Sequence, residues 1–125
     1  MPQKVLEEFS VSRLDILDED ANVDESLEPQ LGEEQLVGMY RAMLLARACD
    51  ERMLKLQRQG RIGTFGPSIG HEASAVGPAF AMAEEDWFVS AFRELGGRLV
   101  RGESLASQLV YYNGFEEGTV RPGGD

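Results

Sequence analysis

The sequence predicts a mostly α-helical chain with one or two short strands of parallel type, and three observations carry that prediction. Apolar residues recur at the helical period from Glu33 to about Gln59, and again in shorter stretches after Gly70. A single run, Trp87-Phe88-Val89, has the continuous apolar character of a strand buried on both faces. Residues 1 to 32 show no sustained period and read as an acidic, mostly irregular leader ahead of a folded segment, residues 33 to 125. One strand is too few for an independent sheet, so the folded segment reads as an incomplete piece of an α/β arrangement.

At 125 residues and 42% hydrophobic content the chain has material for one core. Its net charge of −10 is unevenly spread. Residues 1 to 34 carry 11 acidic side chains against Lys4 and Arg13, whereas residues 35 to 125 carry 11 acids and 10 bases. No cluster of Lys and Arg is available to meet a phosphate backbone, which argues against nucleic acid as a partner. The longest apolar runs, Met43 to Ala46 and Ala79 to Ala83, fall far short of the roughly 18 residues of a membrane span, and the first residues lack the pattern of a secretory signal. No membrane partner and a cytoplasmic location are the expectations. The one cysteine, Cys49, and the one histidine, His71, can make neither a disulfide nor a zinc site between them.

Each element has its own signals. In the leader, Val11, Leu14 and Leu17 fall at spacing three and could make one amphipathic turn before Asp18 to Asp24 interrupt it. The long helix opens with Glu33 and Glu34, where acids oppose the dipole, and Gly60 stops it. Leu36, Met39, Tyr40, Met43 and Leu54 share one face, while Leu45, Cys49 and Leu56 lie opposite, so cover on two sides is expected. Arg47 and Asp50 stand three residues apart on the first face and are expected to pair with each other. The loop from Gly60 to Gly70 has no phosphate-loop signature, and its Phe65 must either tuck into the core or line a pocket. Ser68 or Gly70 is expected to cap a second helix that Pro78 should kink or split near Ser74. His71, at its start, reads as a hydrogen-bonding or packing residue. Phe92-Arg93-Glu94 stand where the strand should give way to a third helix, and Ser104 caps a last one that Asn113-Gly114 closes.

Taken together, these residues are similar to a known family. The first helix carries R-x-x-D-E/Q-R as Arg47, Asp50, Glu51 and Arg52; Gln59 to Gly63 read Q-G-R-x-G; Pro67 to Ala73 read P-x-x-G-[QH]-E-A; and Asp86-Trp87 precede Phe92-Arg93-Glu94 as D-W…[YF]-R-[ED]. The stretch from Leu36 to Pro122 resembles the N-terminal part of the alpha subunit of the thiamine-diphosphate-dependent 2-oxo acid dehydrogenases. The resemblance implies an α/β thiamine-diphosphate-binding fold and oxidative decarboxylation of pyruvate or a branched-chain 2-oxo acid. It further implies thiamine diphosphate with Mg2+ as cofactors, a beta subunit as partner, and acyl transfer to a lipoyl-bearing second component. Carried residue by residue, it makes Arg93 a diphosphate ligand and puts Phe92 where relatives commonly have a tyrosine that also reaches the diphosphate. Phe65 becomes a loop aromatic near the substrate side of the cofactor.

Two departures accompany the resemblance. Phe92 has no hydroxyl, so that hydrogen bond should be missing. The family's Gly-Asp-Gly and Asn metal motif lies beyond the matched region, and Gly123-Gly124-Asp125 is not that motif. The metal ligands are therefore expected downstream, and the polypeptide alone is expected to be a fragment or truncated copy without activity. The alternative is a non-catalytic helical interaction module, or an unrelated helical protein in which Arg93 pairs with Glu94 or another surface acid.

Overall fold

The computed structural model describes residues 3–119 and divides the chain into two units, Met1–Leu31 and Gly32–Asp125. In the first, one tight loop stands out. Leu17 and Val23 form an isolated antiparallel bridge, and the Asp18 carboxylate accepts hydrogen bonds from the backbone N–H groups of Asp20 and Asn22. The Asn22 side chain also donates to Asp18, and these bonds hold the Asp18 carboxyl below the usual carboxylate range. No amphipathic turn forms upstream: Val11 and Leu14 are exposed.

The second unit is helical, as the apolar periodicity predicts. Helix α1 (Glu33–Arg58) begins where Gly32 donates its N–H to Gln35 Oε1 at 2.9 Å, which supplies one of the missing partners of a helix start. It ends at Gly60, whose φ of 69° turns the chain into the left-handed region that glycine tolerates, with Arg61 N–H donating back to Leu56 O. Helix α2 (Glu72–Ala81) runs unbroken through Pro78, against the expected split. The missing proline donor falls in the second half of the helix and leaves a single carbonyl, that of Ser74, without its helical partner. Its N-cap is His71, not Ser68 or Gly70, because Ser68 is already held by Asp50 on α1; Glu72 reaches back instead to accept from Gly70 N–H at 3.0 Å. Helix α3 (Leu95–Val100) and helix α4 (Leu105–Tyr112) follow, the latter capped as expected by Ser104 Oγ accepting from Ser107 N–H. A 3-10 turn, Glu116–Thr119, closes the described part and packs on α4, while residues 120 to 125, Gly123-Gly124-Asp125 among them, lie outside the described residues.

The core sits where α1, α2 and α3 meet, built from Ala46, Met53, Val76, Ala79 and Leu95. Helices α2 and α3 come close because α3 offers glycines. A Cβ on Gly97 would stand 2.9 Å from the Ala75 carbonyl, and one on Gly96 would stand 2.8 Å from Val76. Trp87-Phe88-Val89 do not form the expected strand: among the described residues there is no neighbour for them to pair with, so a segment with extended backbone preference has no ladder to join. Trp87 and Val89 are 92% and 89% exposed, while Phe88 turns inward against Gly97. The turn ahead of them is held firmly, because the Arg101 guanidinium donates to the carbonyls of Ala83, Glu84 and Asp86 at 2.8–2.9 Å.

Candidate functional site

Around Arg93 the loop after α1 meets the segment ahead of α3. The Arg93 Nε–H donates to the Pro67 carbonyl at 3.3 Å, and the guanidinium lies over the Phe92 ring, 4.7 Å from its centroid. These two supports hold the stem and one face of the group, and such stacking on an aromatic is favourable. Among the described residues the guanidinium joins no ion pair. Glu94 is not its counter-ion: that carboxylate accepts from the Arg93 backbone N–H at 3.2 Å. Arg93 is exposed, so its terminal N–H fork is available to an anion with paired oxygens.

Beside it opens a cleft of about 790 Å³, lined by Gly63, Thr64, Gly66, Phe92, Tyr111 and Tyr112 among others. Phe92, 60% exposed, forms part of its wall, and a Cβ on Gly66 would stand 3.1 Å from that ring, so the loop approaches Phe92 closely because it has a glycine there. Phe65 takes the other option left open for it. It is 5% exposed and packs edge-on against Tyr112 with ring centroids 5.3 Å apart, behind the loop whose neighbours Thr64 and Gly66 face the cleft. Burial, ahead of the surrounding charges, pushes the Tyr112 hydroxyl above its ordinary pKa. The structure thus brings Phe92 and Arg93 together with Gly66 and Pro67, and packs Phe65 against Tyr112.

What fixes the loop is a residue with a different expected role. Asp50 does not pair with Arg47. It is fully buried on α1, and its Oδ1 accepts from both the N–H of Ser68 at 2.7 Å and the Ser68 hydroxyl at 2.6 Å. Arg47 instead pairs with Glu72 at 2.5 Å, which draws the Glu72 carboxyl down to about 2, chiefly through that hydrogen bond. The reason is geometric: Glu72, 25 residues away, is brought within reach by the packing of α2 on α1, and helical spacing alone cannot show that. A second ion pair, this one buried, escaped sequence reasoning altogether. Arg98 on α3 donates from Nε and Nη2 to the two oxygens of Glu103, both at 2.6 Å, and Arg98 borders the cleft. Its one signal in the sequence is a cation set among Leu95, Gly97 and Leu99.

Cys49 is half-buried, and burial, followed by the charge of Asp50, pushes its thiol pKa up, which suits a packing residue and not a nucleophile. His71 is exposed at the α2 N-cap, where its carbonyl accepts from Ser74 Oγ. Among the described residues no group of His, Cys, Asp and Glu is placed to hold a metal ion, and no helix is long and apolar enough to cross a membrane.

Comparison of the sequence with known proteins places the chain in a family. The profile of the dehydrogenase E1 component covers residues 40–123. The chain is 41% identical over 102 residues to the pyruvate dehydrogenase E1 component subunit alpha of Acholeplasma laidlawii, covering 82% of this chain. It is 36% identical over 110 residues, 87% of this chain, to the proteins of that name in Staphylococcus epidermidis and Staphylococcus aureus. In each case it spans 30% of the relative's length. The chain therefore belongs to the dehydrogenase E1 component family, as a relative of its alpha subunits.

Proposed function

We propose that this chain supplies the diphosphate-gripping corner of a thiamine-diphosphate-dependent pyruvate dehydrogenase alpha subunit. In this reading it works in the cytoplasm beside a beta subunit and serves a lipoyl-bearing second component. The observation that carries the reading is the Arg93 guanidinium, braced on Pro67 and Phe92, with its fork free of ion pairs among the described residues. The choice of pyruvate over a branched-chain acid is supported by the relatives at 36–41% identity, which carry that name.

The residues present suit half of the ligand. Arg93 would hold the phosphate end, Phe92 would support Arg93 through its ring in place of a hydroxyl contact, and Phe65 would back the loop. A divalent cation finds no ligand set among the described residues, so the reading assigns the Mg2+ contacts to other parts of the enzyme. When bound, the cofactor supplies the nucleophilic carbon that permits loss of carbon dioxide from the 2-oxo acid; this corner's task is to bind and orient it.

The test is a titration of the enzyme, assembled with its beta subunit, with thiamine diphosphate and Mg2+. A hydrogen bond to a charged group contributes about 1.5–3 kcal/mol, so Arg93→Ala should weaken cofactor binding about 10- to 150-fold. Affinity equal to wild type would show that the fork points at nothing.

A further inference from the structure

We infer that Asp50 is a positioning residue for Arg93, acting through the peptide unit between Pro67 and Ser68. This rests on the reading of Arg93 as the diphosphate ligand.

A peptide group is planar and trans, so its N–H and C=O point in opposite directions. The group that joins Pro67 to Ser68 is held at both ends. Its N–H donates to Asp50 Oδ1 at 2.7 Å, and its carbonyl accepts from Arg93 Nε–H at 3.3 Å. Fixing the direction of the N–H fixes the opposite direction of the carbonyl, and that direction sets where the carbonyl meets the guanidinium. The Ser68 hydroxyl adds a second bond to the same carboxylate oxygen at 2.6 Å and prevents the loop from pivoting about the first. An anion on the N–H side also polarises the amide and makes the carbonyl a better acceptor for a cation.

Stability alone accounts poorly for an acid at this position. Asp50 is 0% exposed, and its Oδ2 has no hydrogen-bond partner among the described residues. The nearby cation that sequence spacing offers, Arg47, is taken by Glu72. A buried, half-satisfied carboxylate costs folding free energy. Its two bonds span 18 residues and go to the loop, and the carbonyl one atom beyond supports a cation a further 26 residues on. The linkage thus runs from a 26-residue helix to a side chain on a connecting segment, which among the described residues otherwise has only its own ring neighbour to hold it.

The test is a double-mutant cycle on the assembled enzyme, with thiamine diphosphate and Mg2+ as the titrant, joined to nitrogen-15 NMR of the Arg93 Nε–H in the full chain. Coupling through such a contiguous network modulates binding by about 2- to 30-fold, so Asp50→Asn should weaken binding within that range. In an Arg93→Ala background the same substitution should change affinity by less than about twofold, because the group it positions is gone. The Arg93 Nε–H should exchange with solvent faster in Asp50→Asn than in wild type. Equal losses in both backgrounds, or unchanged exchange, overturn the inference while leaving Arg93 as ligand. If Arg93→Ala itself binds like wild type, the diphosphate reading falls and takes the inference with it. Should Asp50→Asn fail to fold, Ser68→Ala removes one of the two bonds to Oδ1 and keeps the other. It should still weaken binding in the wild-type background alone, and full affinity there counts against the inference.

Discussion

Gly97 and Gly38 both lie inside helices, yet the same substitution should act on them in opposite directions. Replacing a helical glycine by alanine gains about 0.5–1 kcal/mol from the backbone in either case. At Gly38 the new Cβ would meet the Phe80 ring at 3.5–3.6 Å, an ordinary contact, so Gly38→Ala should stabilise the fold by about the full propensity gain. At Gly97 it would stand 2.6 Å from the Phe88 ring and 2.9 Å from the Ala75 carbonyl. The ring can swing aside, but the carbonyl belongs to the α2 backbone and can recede only if α2 and α3 separate. Overpacking of this kind costs about 1–3 kcal/mol, which leaves Gly97→Ala less stable by up to about 2.5 kcal/mol after the gain is deducted. In a unit of this size that corresponds to a midpoint lower by up to about 20 °C, against a rise of about 2–8 °C for Gly38→Ala. Thermal unfolding of the full chain, followed by far-ultraviolet circular dichroism, reads both. If Gly97→Ala proved as stable as Gly38→Ala, the close approach of α2 to α3 would be wrong.

Breaking the buried Arg98–Glu103 pair with Arg98→Ala should cost about 3–5 kcal/mol in urea unfolding, whereas replacing both partners by Met and Leu should cost far less. The Arg47–Glu72 pair should show in acid: with the Glu72 carboxyl drawn down from 4.5 to about 2, its contribution is complete above pH 4.5 and fades as pH falls through 2. The stability gap between wild type and Glu72→Gln should therefore close over that interval, and a gap independent of pH would contradict the pairing. Phe92→Tyr, at a residue 60% exposed, should change stability by less than about 0.5 kcal/mol. If the position faces the cofactor diphosphate, the added hydroxyl should tighten cofactor binding by about two- to tenfold in the same titration used for Arg93→Ala.

Much of the fold was legible in the residues because its signals are local. The start of α1, the glycine that ends it and the Ser104 cap of α4 each depend on groups within one helical turn, so the chain near them determines them. The motifs from Arg47 to Glu94 likewise placed the chain in its family and singled out Phe92 and Arg93, which the structure sets side by side. The strand at Trp87 to Val89 was misread because a strand is not a local object: backbone preference favours the extended form, but a ladder needs a second chain segment. The sequence leaves Phe65 between core and pocket because only packing against Tyr112 decides the matter.

The sequence by itself determined where α1 begins and ends and which residue caps α4, which family the chain belongs to, and that an arginine stands at residue 93 next to an aromatic. Only the tertiary structure decided which charges meet. Arg47 finds Glu72 and not Asp50, Asp50 finds Ser68, and Arg93 finds the carbonyl of Pro67, across separations of 25, 18 and 26 residues. Helical spacing brings neighbours three and four residues apart within reach of one another, but it does not choose between such a neighbour and a better-placed partner on the next helix. That choice follows from how α1, α2 and the loop between them pack, and with it the direction in which the Arg93 guanidinium is held.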